Sequence, residues 1–255
     1  MIIAILQARM GSSRLPGKVL RKIRGKTLLE LCLNRIKQSR LIDKIVIATT
    51  TKSSDDIIEE LAQNLGFDCF RGSEIDLLDR FWQCANKYKA DVVVRLTSDD
   101  PFVDYQVLDR AIKIFNENQV DFVTNHFEPT YPEGLDVEVY SVGALKRSWQ
   151  ESQLLSEREH VFPYIQNHPD DFKIINFRQK HDYSHLRWTI DYECDFEMTK
   201  IIYDYLYDDN PIFLQNDILS VLKKHPEITE INAHIKRKEG VNRTKANDMI
   251  VIGDC

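Results

Sequence analysis

Three cationic side chains lie close together near the start of the chain, at Arg9, Arg14 and Lys18. They follow an apolar run, residues 2–6, whose length suits one buried strand. Glycine and serine residues lie among the cations, and such a loop exposes backbone N–H groups that bind phosphate. The pattern therefore predicts a phosphate site, and the alternative is a solvated basic turn. The predicted phosphate-binding residues are Ala8, Arg9, Gly11, Ser12, Ser13, Arg14 and Lys18.

This loop differs from the two best-known phosphate-binding motifs. A P-loop has the pattern G-x-x-x-x-G-K-[ST], but position 16 is a proline and Lys18 is followed by Val19. The dinucleotide fingerprint, G-x-G-x-x-G, lacks its third glycine here. A phosphate bound at this loop would therefore be held by a motif other than these two.

Aspartates follow two apolar runs of the chain. Asp99 and Asp100 come after residues 92–96, and Asp191 comes after residues 186–190. Taken alone, each aspartate has a simpler explanation as a helix cap. Two carboxylates that face a phosphate loop, however, suit Mg²⁺, which proteins hold through one or two carboxylates and substrate phosphates. We therefore predict that Asp99 and Asp191 bind Mg²⁺.

The elements that position these residues alternate between strands and helices. Each long strand is apolar throughout, which is typical of an α/β fold with a mostly parallel central sheet and helices on both faces. Ligands of such sheets bind beyond the carboxyl ends of the strands. The loop and the aspartates are therefore expected in one crevice, with Arg80 and Thr97 on its nucleotide side. The predicted strands are 2–6, 45–49, 68–70 and 92–96, and the predicted helices are 27–38, 53–65 and 76–88.

The second half of the chain is less regular and predicts a smaller β-containing region. Residues 135–140 alternate as a half-exposed strand does, which places Asp136 and Glu138 on one face as candidates for sugar hydroxyls. His160 and Arg187 are candidates for an acceptor carboxylate. As alternatives, His160 is a half-buried structural histidine and Arg187 pairs with a neighbouring acid. The other predicted strands are 121–124, 172–177 and 186–190, and the other predicted helices are 104–117, 156–167 with a kink at Pro163, 191–206 and 216–224.

Composition limits the partners and the location. The formal net charge of −6 over 255 residues argues against a general nucleic-acid binder. No stretch approaches the roughly 20 apolar residues of a membrane span, and no signal peptide is visible. The five cysteines lack C-x-x-C spacing, which suits reduced thiols. The expected location is cytoplasmic.

The end of the chain differs in composition from the rest. Residues 236–249 are polar and carry few apolar side chains. Such a segment predicts a loose extension or an interaction arm rather than part of a core. The chain is therefore expected to form one catalytic domain, residues 1–235, followed by a polar C-terminal extension, residues 236–255.

Five motifs carry a resemblance to a known family. In order they read QARMGSSRLPGK, RLTSDDPFVD, GLDVEVYS, EREHVFPYI and RWTIDYECDFEM. Together they resemble the spore coat polysaccharide biosynthesis protein F group, which is related to CMP-Kdo and CMP-sialate synthetases. The resemblance runs from residue 1 to about residue 225, and five ordered motifs are far more specific than any one of them.

The resemblance implies a nucleotide-diphospho-sugar transferase fold of the GT-A type and an Mg²⁺-dependent cytidylyltransferase activity. Such enzymes transfer CMP from CTP to an acidic sugar, of the ulosonic or sialic-acid kind, and release pyrophosphate. Relatives are commonly dimeric, so a homodimer is expected. The residues that fall on the catalytic triphosphate loop are Arg9, Ser13, Arg14 and Lys18, and those that fall on the magnesium motifs are Asp99 and Asp191.

The chain departs from the related CMP-Kdo synthetases at both magnesium motifs. Thr97 and Ser98 stand where those enzymes have Gln-Gly. Residues 191–195 read DYECD where those enzymes have D-T-P-E-D. These differences bear on the base and on the sugar acceptor more than on the use of a metal.

The sequence leaves two other functions to be tested. A glycosyltransferase of the same general fold would use a nucleotide sugar and would release no pyrophosphate from CTP. A non-catalytic partner in polysaccharide assembly would bind a nucleotide without turnover. The loop with three cations favours a triphosphate over a nucleotide diphosphate sugar, and the intact aspartates argue against a loss of catalysis.

Overall fold

A computed structural model describes residues 1–251 of the chain, so Cys255 and the last residues of the predicted extension lie outside it. The strands are β1 (Ile2–Gln7), β2 (Lys22–Ile23), β3 (Lys26–Thr27), β4 (Lys44–Thr50), β5 (Asp68–Gly72), β6 (Val92–Thr97), β7 (Phe122–Thr124), β8 (Glu138–Ser141) and β9 (Ile174–Asn176). Seven of them form one sheet in the order β5-β4-β1-β6-β8-β7-β9. Within that sheet β8 runs antiparallel to both of its neighbours, and the other pairings are parallel.

Helices cover both faces of this sheet. They are α1 (Leu28–Ile36), α2 (Asp56–Asn64), α3 (Leu77–Lys87), α4 (Tyr105–Asn118), α5 (Val142–Glu151), α6 (Leu155–His160), α7 (Pro163–Asn167), α8 (Glu193–Leu206), α9 (Gln215–Lys224), α10 (Glu227–Glu230) and α11 (Glu239–Ala246). In β1, Ala4 and Leu6 join one apolar cluster, whereas Ile3 and Ile5 join a second one. Because successive side chains of a strand point to opposite faces, the two clusters are the two faces of the sheet. The predicted mostly parallel α/β sheet is confirmed.

Two predicted strands of the second half differ from the structure. No strand forms at 186–190, because the N–H of Trp188 donates to Glu133 O over 2.7 Å and the N–H of Ile190 donates to Asp99 O over 2.8 Å. The segment is therefore held by loops on either side. Within 135–140, strand β8 begins only at Glu138. The N–H of Val137 donates to Asn125 Oδ1 over 2.8 Å, so a side chain and not a neighbouring strand satisfies it.

Two predicted helices also have different bounds. The helix expected over 156–167 is divided into α6 and α7, and between them Val161 has a φ of +68°. Proline lacks an N–H and restricts the preceding residues, so Pro163 ends one helix and begins another instead of kinking a single one. Helix α8 begins at Glu193 rather than at Asp191, which lies in the preceding loop.

The C-terminal segment is not loose where the structure describes it. Helix α11 packs against the body of the protein, and the hydroxyl of Tyr192 donates to Glu239 Oε2 over 2.6 Å. Just beyond α11, Asp248 accepts hydrogen bonds from the N–H and hydroxyl of Ser156 at 2.9 and 2.6 Å. The expectation of a loose segment over 236–249 is therefore wrong, since polar contacts hold it where apolar ones are few.

None of the helices within residues 1–251 combines the length and the apolar character that crossing a membrane requires. The four cysteines in this range are unpaired, in agreement with the predicted reduced thiols.

Candidate active site

A cavity of about 320 Å³ opens at the carboxyl ends of β1 and β6. It is where the parallel strands were expected to bring the loop and the aspartates together. Gly11 lies outside its wall. The predicted site residues in the wall are Ala8, Arg9, Ser12, Ser13, Arg14, Lys18, Arg80, Thr97, Asp99, Asp136, Glu138, His160, Arg187 and Asp191.

The loop after β1 is held in shape by a backbone hydrogen bond within it and by the side chain of Asp55. The N–H of Gly17 donates to Met10 O over 3.0 Å, and the N–H of Met10 donates to Asp55 Oδ1 over 2.8 Å. Gly17 has a φ of +68°, in the left-handed region that glycine adopts without strain. The N–H groups of Ser13 and Arg14 donate to no other group within residues 1–251. They are therefore free to bind an anion in the cavity.

Lys18 joins the two predicted metal aspartates. Its Nζ lies 2.8 Å from Asp99 Oδ2 and 2.9 Å from Asp191 Oδ1, and it donates to Ile190 O over 2.5 Å. Burial lowers the pKa of Lys18, but the charges of Asp99 and Asp191 outweigh burial and raise that pKa above its ordinary value. Lys18 therefore stays protonated and holds both carboxylates together.

Asp191 is the most heavily paired acid of the site. Besides Lys18, it contacts Arg14 Nη2 at 2.7 Å and Arg187 Nη2 at 3.1 Å. Burial raises the pKa of Asp191, but Lys18 and Arg14 outweigh burial and depress the pKa well below its usual range. Asp191 is therefore ionised at neutral pH.

The two members of the Asp99–Asp100 pair differ in environment. Asp100 is buried and accepts a hydrogen bond from the Thr97 hydroxyl at 2.5 Å, whereas Asp99 is partly exposed to the cavity. Burial, with the charge of Asp99 beside it, raises the pKa of Asp100 to about 8. Asp99 is thus the more exposed carboxylate of the pair, at the cavity wall. Thr97 lines the cavity, but its hydroxyl donates to Asp100.

The donor set around Lys18 fits Mg²⁺. Asp99 and Asp191 present hard oxygen donors that already converge on one cationic atom. No group of three or more metal-ligating side chains occurs within residues 1–251. A cation at this place would complete its coordination with water and substrate phosphates, as Mg²⁺ commonly does.

A second cationic pair lines the nucleotide side. Arg80 on α3 is 3% exposed, its Nη1 donates to Ser73 O over 2.9 Å, and its buried Nε has no partner within the described residues. Burial, followed by the charge of Arg9, lowers the pKa of Arg80 to about 10. Two neighbouring guanidinium groups repel each other until an anion lies between them. This arrangement is consistent with an anion site between Arg80, predicted on the nucleotide side, and Arg9, predicted in the triphosphate loop.

Arg187 and Glu138 have contacts that differ from their predicted roles. Arg187 is 7% exposed and is bound by Glu133, Asp191 and Asp195 at 2.7–3.1 Å, so these acids occupy its donors and it holds the loop after residue 190. Glu138 is buried and its oxygens accept from other side chains, so it has little capacity for sugar hydroxyls. For Arg187 the alternative of pairing with neighbouring acids is the better description.

The comparisons with known proteins identify this architecture. The family model described as Cytidylyltransferase matches residues 3–220. This chain belongs to the cytidylyltransferase family. It is 35% identical to the spore coat polysaccharide biosynthesis protein SpsF of Bacillus subtilis (strain 168) over 233 residues, which are 89% of this chain and 95% of that protein. The resemblance that the five motifs indicate is confirmed.

Solved structures agree with the fold of this cytidylyltransferase. A cytidylyltransferase from Leptospira borgpetersenii serovar Hardjo-bovis (strain JB197) superposes with a TM-score of 0.86 at 36% identity, over 89% of this chain and 96% of that one. CMP:2-keto-3-deoxy-manno-octonic acid synthetase complexed with CTP has a TM-score of 0.65 at 17% identity, over 80% and 98% of the two chains. The second likeness shows the fold alone. The predicted nucleotide-diphospho-sugar transferase fold is confirmed.

Part of the cavity wall lies outside the family match. The match ends at residue 220, yet residues 238–241 and Arg243 line the cavity. Glu239 Oε2 lies 3.6 Å from Arg14 Nη1, and Lys238 Nζ donates to His126 O over 2.6 Å. This cytidylyltransferase therefore closes its cavity with a segment that the family pattern does not describe.

His160 ties the rest of the chain to that segment. Its Nε2 lies 3.0 Å from the hydroxyl of Thr244 on α11, and burial lowers the pKa of His160 to about 4. The half-buried structural histidine, one of the two alternatives from the sequence, describes these contacts best. Asp136, also predicted to bind sugar, pairs with Arg237 Nη2 at 2.6 Å.

We expect the His160→Gln variant to be less sensitive to acid than the wild type. A histidine in the unfolded chain has a pKa of about 6.5, whereas that of His160 in the folded protein is about 4. The unfolded state therefore binds the proton more tightly, and the free energy of unfolding falls as the pH drops from 6.5 toward 4. The slope is about 1 kcal/mol per pH unit. Urea unfolding at pH 7 and pH 5 measures it: the wild type should lose more free energy of unfolding than the variant, and equal losses would contradict the shift.

Proposed function

We propose that this cytidylyltransferase transfers CMP from CTP to an acidic sugar, of the ulosonic or sialic-acid kind, and releases pyrophosphate. The observation that carries the proposal is the convergence of Asp99, Asp191 and Lys18 beside free N–H groups of the loop after β1. Binding of a metal–triphosphate complex needs carboxylates for the metal, and cations and open N–H groups for the phosphates. The cations here are Lys18 and Arg14.

Two relatives support the choice of substrates. The similar Bacillus protein is named for spore coat polysaccharide biosynthesis, and the synthetase of the same fold was solved with CTP bound. We therefore propose CTP as the donor and the synthesis of a surface polysaccharide or glycan as the purpose of the product.

Transfer of CMP is an in-line displacement at the α-phosphorus of the nucleotide. A sugar hydroxyl oxygen forms the new bond to phosphorus, the bond to the bridging oxygen of pyrophosphate breaks, and the hydroxyl proton passes to solvent or to a base. Catalysis then depends on positioning and on charge neutralisation. We assign positioning of the triphosphate to Arg9, and neutralisation of the leaving pyrophosphate to Arg14 and Lys18.

We propose Asp99 and Asp191 as the residues that hold Mg²⁺. When bound, the ion would supply Lewis-acid polarisation of the α-phosphate oxygen. Lys18 contacts both carboxylates, and its ammonium group would also neutralise charge on the phosphates. Arg187 contacts the other carboxylate oxygen of Asp191 at 3.1 Å and so holds that carboxylate in position.

A pyrophosphate-release screen tests this proposal. The full-length protein is incubated with each of the four common ribonucleoside triphosphates and with 3-deoxy-manno-octulosonate or N-acetylneuraminate, with and without Mg²⁺. Release should require CTP, an acidic sugar and the metal together. Transfer from a nucleotide sugar without release from CTP would contradict the proposal and would indicate a glycosyltransferase, which no comparison favours.

A further inference from the structure

A buried guanidinium group lies in the cavity wall beside the proposed metal site. Arg95 is on β6, on the same face of the strand as Thr97, because side chains two residues apart share a face. Its side chain is 11% exposed, it lines the cavity, and it lies 5.9 Å from the ring of Phe81. The interrupted apolar pattern VVVRLT did not mark it as a site residue, since a strand can carry one polar residue for many reasons.

Glu138 holds this guanidinium group in place. Arg95 Nη1 donates to Glu138 Oε1 over 2.5 Å, and the same oxygen lies 3.2 Å from His126 Nε2. The hydroxyl of Tyr140 donates to the other carboxylate oxygen. With three side chains on it, Glu138 is fully engaged, and its contacts orient Arg95 rather than a ligand.

The other edge of the guanidinium group has no partner. Nε of Arg95 is buried without a hydrogen bond, and Nη2 donates to no group within residues 1–251. A buried donor without a hydrogen-bond partner destabilises the folded protein, and more so when the donor is charged. The Nε–Nη2 edge of arginine is also one that binds a carboxylate through two parallel hydrogen bonds. The unpaired edge therefore points to an anionic ligand.

The sheet order decides which substrate reaches this edge. The triphosphate loop follows β1, which pairs with one edge of β6, and β8 pairs with the other edge. Arg95 lies on β6 directly opposite Glu138 of β8, and its guanidinium group binds that carboxylate. The guanidinium group therefore lies toward β8, away from β1 and the loop. In-line transfer also places the leaving pyrophosphate and the attacking hydroxyl on opposite sides of the α-phosphorus. The side of Glu138 is therefore the acceptor side.

We propose that Arg95 binds the carboxylate of the sugar acceptor through its Nε–Nη2 edge, and that Glu138 positions it. The inference rests on the proposed function, to which it adds the residue that selects an acid over a neutral sugar. Arg95 is a specificity-determining residue and Glu138 is a positioning residue.

The test compares each acidic sugar with its own carboxamide. The probes are 3-deoxy-manno-octulosonate and N-acetylneuraminate, each as the acid and as the amide, in the pyrophosphate-release assay with CTP and Mg²⁺. The wild type should prefer the acid by about 100-fold in kcat/KM, since a desolvated charge pair is worth several kcal/mol. The Arg95→Met variant should lose this preference mainly through KM for the acid, with the dissociation constant for CTP unchanged.

Further variants separate recognition from folding. Arg95→Lys keeps the charge but not the two-donor edge, so it should recover part of the preference. Arg95→Met leaves Glu138 buried without its cation, so the double variant Arg95→Met/Glu138→Gln removes both charges and keeps the test valid where the single variant does not fold. Arg110→Met is the matched control, because Arg110 on α4 binds the Tyr131 hydroxyl and lies outside the cavity wall.

The outcomes distinguish this inference from the proposed function. If the wild type releases no pyrophosphate with either acid, the proposed function is overturned, and this inference with it. Release by the wild type, together with an unchanged acid-to-amide ratio in the Arg95 variants, would overturn this inference alone. A similar loss in Arg110→Met would also overturn it, because the effect would then not be specific to Arg95.

Discussion

The Asp99→Asn variant should release pyrophosphate about 10³-fold more slowly than the wild type while its fold stays intact. Removing a metal-binding carboxylate takes away several kcal/mol of transition-state stabilisation, and each 1.4 kcal/mol is about tenfold in rate. Asp99 faces the cavity from the end of β6 and is one of the two carboxylates that we propose hold Mg²⁺. Its loss leaves one carboxylate at the site.

The same contacts explain why the fold should survive. In the variant, Lys18 keeps its hydrogen bonds to Asp191 and to the carbonyl of Ile190. The backbone carbonyl of residue 99 still accepts the N–H of Ile190, because that contact does not involve the side chain. We therefore expect the free energy of unfolding to change by less than about 1 kcal/mol.

The measurement is pyrophosphate release at saturating CTP and acceptor, across a titration of Mg²⁺. Asp204→Asn is the matched control, because Asp204 lies on α8, is largely exposed and contacts Arg24 at 3.4 Å away from the cavity. The control should keep wild-type turnover. Turnover of Asp99→Asn within tenfold of the wild type would contradict the assignment of Asp99, whatever the metal dependence of the wild-type enzyme.

Local patterns were enough to predict that the first loop and the two aspartates meet at one cavity. The cations of the first loop and the aspartates at 99 and 191 each follow an apolar run, and parallel strands bring such ends to one edge. The prediction survived the absence of a strand at 186–190, because the extended chain there still delivers Asp191 to the same place. The apolar pattern of 186–190 correctly predicted that most of its side chains are buried. It does not reveal whether the extended backbone pairs with a strand or with a loop.

The proposed acceptor side depends on contacts between residues that are distant in sequence. Arg95 and Glu138 meet because β8 pairs antiparallel with β6, a register that no local pattern specifies. Helix α11 docks through Tyr192 and Glu239, which are 47 residues apart. The polar composition of residues 236–249 predicted a loose segment. The prediction was wrong because polar contacts dock this segment, and polar contacts leave no apolar periodicity in the sequence. These long-range pairs are the part of the site that the sequence alone does not determine.

The Asp195→Ala variant should be about 3–5 kcal/mol less stable than the wild type, the range for removing one partner of a buried ion pair. Asp195 is 0% exposed and accepts from Arg187 Nε at 3.0 Å and Nη2 at 3.2 Å. It also accepts the N–H groups of Asp191 and Tyr192 at 2.9 Å and the amide of Asn232 at 2.8 Å. All five bonds are lost together.

Activity should fall in parallel, because the bond from the N–H of residue 191 to Asp195 fixes the loop that carries the Asp191 carboxylate. Urea unfolding measures the stability, and pyrophosphate release below the unfolding transition measures the activity. Glu193→Gln is the control: Glu193 lies on the same helix turn, but it is exposed and pairs with Arg21. An exposed pair contributes about 0–1 kcal/mol. A loss in Asp195→Ala no larger than that of the control would show that Arg187 and the loop hold Asp191 without Asp195.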